Sequence, residues 1–426
     1  MQQIFRQDHH SIGPSDVGIN ALKVVNRLTS SGYRAFLVGG SVRDLLLGAH
    51  PKDFDVATDA HPDEVKQLFR NSRLIGRRFR IVHVRFGREI IEVATFRAHH
   101  DRDSHQTNHS KSGLILDDNV YGSLDEDMQR RDFTINALYY QADEGAVYDQ
   151  VGGMADLQSK TIRLIGDPET RYREDPVRML RAIRFAAKLN FSITPETIDP
   201  VKRLGVLLHD ISPARLFEEV LKLLMMGNAE KTFVLLREHG LIEWLFPDTQ
   251  RCLDSRSEAL IMAALQSTDQ RIREDRPVTP AFLYAALLWS PVSRQSRSLQ
   301  DRGLPPVASL HEASGKVINK QVLFTSIPRR ISVPMKEIWE LQLRLPRRGG
   351  QQALNLLSHK RFRAAYDFLL LREIAGEDLN YLGNWWTEFQ EQDDKGRKNM
   401  VARLQPAKRR RKRRKRSAQS KPSAPP

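Results

Sequence analysis

Two glycines and two aspartates are the residues of this chain whose types and spacing are best suited to chemistry. Gly39 and Gly40 directly follow an apolar segment, 35–38, and the absence of side chains lets their backbone N–H groups approach a phosphate closely. Asp53 and Asp55 follow about a dozen residues later, where one strand would place both carboxylates on the same side. Hard oxygen ligands suit Mg²⁺ together with substrate phosphates. The combination predicts a triphosphate cradle beside a metal-binding carboxylate pair, as nucleotidyl transfer requires.

Neither half of this pattern is specific by itself, because a Gly-Gly turn is usually only a turn and an Asp-x-Asp is usually a solvated loop. Their order and spacing within LVGGSVRDLLLGAHPKDFDV, residues 37–56, make the combination specific. The segment resembles the head motif of the polymerase-β-like nucleotidyltransferases, and within them the class that unites bacterial poly(A) polymerases with CCA-adding tRNA nucleotidyltransferases. The resemblance assigns the metal ions to Asp53 and Asp55. It assigns the triphosphate to Gly39, Gly40, Ser41 and Arg43.

A third acidic residue, Glu92, lies in a segment of strict apolar and polar alternation, 91–97. Ile91 and Val93 share one face of the predicted strand, so Glu92 on the other face can look into a cleft while its neighbours are buried. An ordinary polar face without chemistry would show the same pattern. In the family that the chain resembles, a carboxylate on this strand lies near the metals, which implies a catalytic role for Glu92.

A second group of candidate residues lies in RRDFTINA, residues 130–137. Asp132 and Asn136 are four residues apart and would be neighbours on one helical face, where they can accept from and donate to a sugar hydroxyl. In isolation the segment also fits a helix N-terminus capped by Asp132. It resembles the RRD motif of the family. That resemblance implies that Arg131, Asp132 and Asn136 bind the ribose and triphosphate of the nucleotide.

The segment YREDPVRMLR, residues 172–181, predicts a helix with Pro176 as its first residue. Asp175 and Arg178 are three residues apart, and a carboxylate with a guanidinium can together read the edge of a base. A helix cap followed by a solvated basic face is the alternative interpretation. The segment resembles the E-D-x-x-R motif that selects the nucleotide in the family, which implies that Asp175 and Arg178 select adenine.

Basic residues are concentrated at two places, and both indicate a polyanionic partner. Arg181 and Arg184 continue a basic stripe along the predicted helix, and we expect them to contact RNA. The formal net charge is +15, and the chain stays basic when the run 408–416 is set aside. A solubility element or a membrane-surface tether is the alternative interpretation of this run. We expect RNA phosphate contacts, made without reading sequence, from Lys408, Arg409, Arg410, Arg411, Lys412, Arg413, Arg414, Lys415 and Arg416.

The composition is typical of a protein of several domains in a reducing compartment. A length of 426 residues suggests about two to four domains, and 40% hydrophobic residues are enough to form buried cores. The one cysteine, Cys252, excludes a disulfide framework and a cysteine-based zinc site, and it fits a cytoplasmic location. The first ten residues lack the apolar core of a signal peptide. The longest apolar run, 281–289, is too short to span a bilayer, so we expect no integral membrane association.

The elements that position these motifs follow from the apolar periodicity. We expect helices over 16–31, 41–47 and 62–70 and strands over 35–38, 81–86 and 89–96. The polar segment 98–127 predicts a long loop, whose histidines lack an ordered metal-ligand spacing, and helical patterning dominates from 161 to about 390.

The resemblance implies an α+β fold, with a polymerase-β-like head of mixed sheet and helices followed by an all-helical neck and body. We expect a catalytic head over 1–160, a neck that binds RNA and nucleotide over 161–250 and a helical RNA-binding region over 251–405. A basic tail over 406–426 completes the chain, and its lack of large apolar residues predicts disorder.

Both branches of the family share the head motifs, so the choice between them depends on other segments. IGRRF at 75–79 resembles an element that separates bacterial poly(A) polymerases from the CCA-adding branch. Three basic segments further along also resemble the poly(A) polymerase branch: IPRR at 327–330, LPRR at 345–348 and HKRFRAAYD at 359–367. The resemblance therefore implies template-independent addition of AMP from ATP to RNA 3′ ends, with two Mg²⁺ ions and an expected role in promoting RNA decay.

The main alternative is a CCA-adding tRNA nucleotidyltransferase, which also uses CTP. A non-catalytic RNA-binding protein is a more remote alternative. Without a bound cation the carboxylates of Asp53 and Asp55 would repel each other, and an inactive site would gain nothing from keeping both. A nucleotidyltransferase of small molecules would need neither the basic helical body nor the tail. The expected partners are RNA 3′ ends, without DNA specificity, and proteins of RNA decay.

Overall fold

A computed structural model describes residues 2–76, 79–98 and 119–404 of the chain. The two arginines of the IGRRF segment, the four histidines of the long polar loop and the basic run 408–416 lie outside these residues.

The N-terminal part is built on one eight-stranded mixed sheet, which confirms the predicted head architecture. Its strands are β1 (Gln3–Phe5), β2 (Ala35–Val38), β3 (Asp55–Thr58), β4 (Ser72–Ile75), β5 (Ile81–Phe86), β6 (Glu89–Thr95), β7 (Tyr139–Gln141) and β8 (Ala146–Asp149). They lie in the order β1-β8-β7-β2-β3-β6-β5-β4. Strands β3 and β6 are parallel, and the other adjacent pairs of this sheet are antiparallel.

Helices cover both faces of this sheet. They are α1 (Ile19–Thr29), α2 (Gly40–Leu46), α3 (Pro62–Leu68), α4 (Leu124–Gln129) and α5 (Gly153–Gln158), with 3₁₀ turns at Pro14–Asp16 and Thr134–Asn136. All four residues of β2 are buried, because alternate side chains belong to different cores. Leu37 packs in the core that contains α1, whereas Phe36 and Val38 pack in the core that contains Leu124 of α4. The glycine turn therefore follows a strand that is fixed from both sides.

The remainder of the described chain is helical, apart from a short parallel pair of β9 (Thr161–Ile162) and β10 (Ser192–Ile193). The helices nearest the head are α6 (Pro168–Glu174), α7 (Val177–Leu189), α8 (Pro195–Ile198), α9 (Val201–Leu204), α10 (Pro213–Leu224) and α11 (Ala229–Glu238), with a 3₁₀ segment at Gly205–Asp210. The rest are α12 (Ile242–Leu245), α13 (Pro247–Arg251), α14 (Ser255–Arg273), α15 (Pro280–Leu287), α16 (Trp289–Asp301), α17 (Pro306–Gln321), α18 (Arg329–Arg344), α19 (Gln351–Leu357), α20 (Phe362–Ile374), α21 (Leu382–Glu391) and α22 (Asp394–Arg403). Among the helices described here, none has the length and apolar character needed to cross a bilayer.

Tryptophans anchor the C-terminal helices. Trp386 is fully buried in a core of its own with Phe362 and Phe389, and its indole N–H donates to the carbonyl of Leu345 at 3.1 Å. Trp385 stacks on Phe389 with ring centroids 4.7 Å apart. Both side chains therefore serve packing in this region.

Asp149 at the end of β8 organises the turn into α5. Its carboxylate is buried and accepts N–H groups from four consecutive residues, Val151, Gly152, Gly153 and Met154, at 2.9 to 3.0 Å. We expect Asp149→Ala to lower the free energy of unfolding by about 3 kcal/mol, because several N–H groups lose a charged acceptor at once. Chemical denaturation measures this.

The matched control for Asp149 is Asp143→Ala, since Asp143 lies on the exposed turn between β7 and β8. It should change the free energy of unfolding by less than about 0.5 kcal/mol. Similar losses in both variants would contradict the role assigned to Asp149.

Candidate active site

A cleft of about 950 Å³ separates the glycine turn and β3 from helices α7, α10 and α11. It collects most of the residues that the sequence motifs singled out. Those that line it are Gly39, Gly40, Ser41, Arg43, Asp53, Asp55, Arg131, Asp132, Asn136, Arg181 and Arg184. The fold thus brings together motifs that are separated by more than a hundred residues of sequence.

The glycine turn connects β2 directly to α2. Gly39 has a φ of +72°, which other residues adopt only with strain, and a Cβ there would lie 3.4 Å from a guanidinium nitrogen of Arg131. The Ser41 hydroxyl donates to the carbonyl of Val38 at 3.0 Å and closes the turn. Since the turn carries no side chain on this side, its backbone is open to a ligand in the cleft.

Strand β3 begins at Asp55, so the prediction that one strand carries both aspartates is wrong. Val38, the last residue of β2, pairs with Asp55, and beyond it the chain turns away at Gly39. The residues before Asp55 therefore have no residue of β2 with which to continue the antiparallel pairing. Phe54, between the two aspartates, is buried, and both Asp53 and Asp55 line the cleft. The two carboxylates therefore share the cleft without sharing a strand.

Two of the three predicted catalytic carboxylates, Asp53 and Asp55, line the cleft, whereas Glu92 lies on the adjacent strand and does not line it. Asp55 lies beside Glu92 in the register of the parallel pair β3 and β6. The Asp55 side chain is exposed at the cleft, but the surrounding protein reduces its solvation, and this is the main reason that its pKa is raised to about 6. The negative charges of Glu92 and Asp53 raise the pKa further, whereas the positive charge of Arg131 lowers it. Glu92 is held from β5 by His83, whose Nε2 lies 3.1 Å from its Oε1. Asp55 is thus a carboxylate whose negative charge lacks full compensation.

The donor set fits a hard divalent cation. Carboxylate oxygens are the ligands that Mg²⁺ prefers, and a cation would relieve the repulsion that raises the pKa of Asp55. Across residues 2–76, 79–98 and 119–404, no three His, Cys, Asp or Glu side chains already form a complete metal site. A cation here would complete its coordination with oxygen atoms of water or substrate phosphates.

Arg131 supplies a fixed positive charge beside the glycine turn. Its Nε donates to the Tyr139 hydroxyl at 2.6 Å, one terminal nitrogen donates to Asp127 at 3.2 Å, and Tyr139 in turn donates to Asp127. Burial disfavours the charge, but Tyr139 and Asp127 outweigh it and raise the pKa of Arg131. The guanidinium is therefore an oriented cation with its other terminal nitrogen next to Gly39.

Asp132 and Asn136 are neighbours, but no α-helix brings them together, so that part of the prediction is wrong. Phe133 is extended and pairs with Leu164, and only the 3₁₀ turn Thr134–Asn136 follows. The Asn136 amide donates to Asp132 at 3.1 Å and accepts from Arg43 at 2.6 Å. These polar groups are bonded within the protein and form a preorganised wall.

Arg181 joins this wall from the other side of the cleft. It forms an ion pair with Asp132, with a guanidinium nitrogen 2.5 Å from the carboxylate. Burial would raise the pKa of Asp132, but Arg181 and the donors Asn136 and Phe133 hold it at about 2. Arg181 therefore already has a partner in the cleft, where the sequence pattern suggested an exposed RNA contact.

Phe185 of α7 carries three guanidinium groups around its ring. Arg43, Arg181 and Arg184 lie 5.2, 5.5 and 4.8 Å from its centroid. The Nε of Arg184 is buried without a hydrogen-bond partner among the described residues, and burial followed by the charge of Arg181 lowers the pKa of Arg184. This wall combines an aromatic face with concentrated positive charge.

Asp175 and Arg178 lie outside the residues that line the cleft, so the structure does not bring them to the other candidates. Asp175 accepts from Arg215 of α10 at 2.8 Å. Arg178 donates to Glu174 at 2.9 Å and to the carbonyl of Arg171 at 2.8 Å. Pro176 precedes α7 as its cap residue instead of opening it. The role of both residues in selecting a base stays a prediction.

Arg171 ties this segment to the head. Its guanidinium donates to the carbonyls of Arg130 and Arg131 at 2.5 and 2.7 Å, and to Glu174 at 2.8 Å. Burial, followed by the nearby charge of Arg178, lowers the pKa of Arg171 to about 10. One buried side chain thus links α6 to the backbone that positions Arg131 and Asp132.

Sequence reasoning missed the residues that close the cleft from the helical side. Phe185 could have been found, because it lies four residues after Arg181 on the predicted helix. The wall also contains Lys188, which the sequence already places at the end of the basic stripe of α7, and three residues that the sequence did not indicate. These are Lys222 of α10, Asn228 between α10 and α11, and Thr232 of α11. No spacing signal marks the last three, since only the packing of α10 and α11 against α7 brings them to the cleft.

Three family models match the chain. They are described as the poly(A) polymerase head domain over residues 35–163, a probable RNA- and SrmB-binding site of polymerase A over 190–253, and an arginine-rich C-terminus of polymerase A over 302–420.

Relatives of known function match over nearly the whole chain. Poly(A) polymerase I of Salmonella typhimurium is 51% identical over 421 residues, which are 96% of this chain and 90% of that protein. Poly(A) polymerase I of Haemophilus influenzae is 43% identical over 413 residues, 95% and 91% of the two chains. The CCA-adding enzyme of Lactobacillus helveticus is 39% identical over only 228 residues, 54% and 55% of the two chains.

Solved structures of CCA-adding enzymes share the fold. The enzyme of Bacillus stearothermophilus in complex with CTP has a TM-score of 0.57 at 25% identity, with 90% of this chain and 82% of that chain covered. A CCA-adding enzyme in complex with ATP has a TM-score of 0.62 at 20% identity, with coverages of 92% and 86%.

Proposed function

The chain belongs to the bacterial poly(A) polymerase family, and from this premise we propose how its cleft transfers AMP from ATP to RNA 3′ ends. The enzyme is a nucleotidyltransferase whose activity is template-independent polyadenylation, and the CCA-adding enzymes are its more distant relatives. The observation that carries the proposal is the position of Asp53 and Asp55 in one cleft with the Gly39 turn.

Asp53 and Asp55 would hold two Mg²⁺ ions together with the phosphates of ATP, and Glu92 supports them from the adjacent strand. When bound, such ions activate the 3′-hydroxyl of the RNA and stabilise the departing pyrophosphate. The raised pKa of Asp55 supports this assignment, because, besides reduced solvation, it reflects repulsion from Glu92 and Asp53 that a bound cation would relieve.

The remaining residues of the cleft orient the nucleotide. The backbone of Gly39, Gly40 and Ser41 holds the triphosphate, and Arg131 presents a positive charge at the same turn, where charge develops in the transition state. Arg43 is buried and donates to the Asn136 side chain, so it positions that amide. Its guanidinium also places a positive charge near the triphosphate. Asp132 and Asn136 form the wall against which the ribose binds.

The aromatic wall suits the base and the RNA. The guanidinium of Arg184, held over the buried ring of Phe185, offers a flat cationic surface on which a nucleobase can stack. Arg181 and Arg184 would contact RNA from the α7 side of the cleft. Asp175 and Arg178, around the start of α7 and outside the cleft lining, would select adenine. RNA 3′ ends are the proposed partner, without DNA specificity, and proteins of RNA decay remain partners predicted by the family resemblance.

The experiment that tests this function uses unstructured RNA and one nucleoside triphosphate at a time, with Mg²⁺ present. We expect long tails with ATP, little addition with CTP and no requirement for a tRNA end. Addition of two C residues and one A to a truncated tRNA, followed by arrest, would establish the CCA-adding alternative. Binding of RNA without any incorporation would establish the non-catalytic one.

The basic run from Lys408 to Arg416 gives a prediction about salt dependence. Each phosphate contact on a single strand contributes about −0.7 to the slope of log affinity against log salt. If about half of the run engages RNA, deletion of residues 406–426 should flatten the slope by about 3 units. RNA affinity across a salt series measures this.

Deletion of the same residues should lower processivity, because a tethered cationic segment keeps the product near the cleft between additions. Chemistry on saturating RNA should persist, since the proposed metal ligands lie in the head. Equal salt slopes with and without the run would leave it a solubility or localisation element.

A further inference from the structure

A groove of about 510 Å³ lies in the helical region, outside the residues that line the active-site cleft. Two basic segments from the sequence, IPRR at 327–330 and HKRFRAAYD at 359–367, meet there. Arg330 and Ile331 come from the start of α18, and Lys360 and Arg361 precede α20. Helix α14 and the start of α15 form the facing side. Segments that are separate in sequence thus form one concave surface.

The rim of this groove is strongly cationic. Five basic side chains and one carboxylate, Asp367, line it; the basic ones are Arg271, Arg330, Lys360, Arg361 and Arg363. Lys360 and Arg361 share a single partner, Glu337, at 3.0 and 2.9 Å. Within the described residues, Arg271 and Arg330 form no ion pair, so their charge is free to meet a polyanion.

The floor of the groove is apolar and partly open. Val278, Pro280, Phe282 and Pro334 line it and are only half-buried. Phe282 meets Phe368 edge to face, with centroids 6.2 Å apart, which fixes its ring. An apolar floor with an aromatic ring, surrounded by arginines, has the chemistry that binds an unpaired base together with its neighbouring phosphates.

The groove and the active-site cleft share helix α10 as a wall. Leu221 of α10 lines the groove, and the next two residues, Lys222 and Leu223, line the cleft. An α-helix with its side chains is about 10–12 Å across, so a strand leaving the cleft reaches the groove within a few nucleotides.

We propose that this groove binds an unpaired nucleotide of the RNA upstream of the growing 3′ end, with the base on the apolar floor and the phosphates at Arg271 and Arg330. The proposal rests on the proposed function, because it places the groove on the path of the primer. An acidic peptide is the less favoured occupant, because the groove lies about one helix width from the cleft in which the primer ends, and a separate partner protein has no need of that proximity.

The test compares two double variants with the same change of charge. R271Q/R330Q removes the unpaired cations of the groove, and R273Q/R329Q removes exposed arginines at neighbouring positions that do not line it. Extension with ATP is measured on a primer of about twenty nucleotides and on a dinucleotide, which leaves no nucleotide upstream of the cleft to cross α10.

We expect R271Q/R330Q to raise KM for the long primer about tenfold and to flatten its salt slope by about 1.4 units, or about 0.7 for each lost phosphate contact. The kcat, the KM for ATP and the use of the short primer should stay unchanged, because the cleft is intact. The control R273Q/R329Q should behave like the unaltered enzyme on both primers.

A primer with a single abasic site, moved stepwise upstream from the 3′ end, tests the base on the floor. We expect KM for the unaltered enzyme to rise at one or two positions only, and R271Q/R330Q to lose this position dependence. Equal KM values and slopes for both double variants would overturn the proposal and leave the groove to a protein partner. Failure of the unaltered enzyme to add AMP at all would instead refute the proposed function.

Discussion

Asp55→Asn and Asp53→Asn are each expected to lower the rate of AMP addition by about 1,000-fold or more. Each substitution removes a charged oxygen ligand from the proposed metal site, and bound metals contribute several kcal/mol of transition-state stabilisation at about 1.4 kcal/mol per factor of ten. RNA affinity should change little, because the basic surfaces are untouched. Single-turnover extension of a labelled RNA with saturating ATP and Mg²⁺ measures the effect.

Asp63→Asn is the control for both variants, since Asp63 is an exposed carboxylate of the same head that does not line the cleft. It should keep the full rate. Turnover at the unaltered rate by either Asp53→Asn or Asp55→Asn would remove the metal assignment.

The same Asp55→Asn variant is expected to be at least as stable as the unaltered protein when Mg²⁺ is absent. The folded-state pKa of Asp55, about 6, lies above its value of 3.8 in the unfolded chain. The carboxyl therefore favours the folded state below about pH 4, and this contribution is lost as the pH rises through 6. Thermal unfolding in EDTA should show the advantage of Asn at pH 7.5 and a smaller one at pH 4. An advantage that grew as the pH fell would contradict the assigned direction.

Asp175→Ala and Arg178→Ala are expected to reduce the preference for ATP over CTP by about 10- to 100-fold, the value of one good bidentate contact with a base edge. The KM for the favoured triphosphate should change less, because the glycine turn and Arg131 hold the phosphates. Competition between labelled ATP and CTP on one RNA measures the preference.

The ion pair between Arg215 and Asp175 allows direct reading of the base to be distinguished from positioning. Arg215→Gln removes the partner of Asp175 and leaves the carboxylate in place. If Asp175 contacts the base, this variant keeps most of the preference for ATP. A loss as large as that of Asp175→Ala would make Asp175 a positioning residue and would contradict base reading.

The head motif could be predicted from sequence because its signals are local. The strand, the glycine turn and the following helix are continuous from residue 35 to residue 46, and each is specified by its own residues. The strand pair over 81–95 was likewise predictable from its alternation and the turn at Gly87. The position of Asp53 was not, because the length of β3 is set by where β2 ends.

The helical side of the cleft could not be predicted for the same physical reason. Arg181 patterns as part of a solvated stripe, and only the packing of α7 against the head brings Asp132 to it. The partner of Asp175 shows the same dependence, because Arg215 comes from α10, whereas Glu174, the partner of Arg178, is only four residues away in sequence. Periodicity specifies which face of a helix is polar, whereas the tertiary fold decides which charges meet there.

The buried contacts of Arg171 and Arg181 bear on how this enzyme can be divided. A cut at the predicted head boundary, residue 160, would strip Arg171 from the carbonyls of Arg130 and Arg131 and Arg181 from the carboxylate of Asp132. The head alone would then expose the Asp132 carboxylate at its own catalytic wall without its ion-pair partner. A chimera that exchanges bodies between relatives must therefore keep the chain through α7, up to Leu189, with the head. The active site of this enzyme can therefore be transferred intact only with α7, not with the catalytic sheet alone.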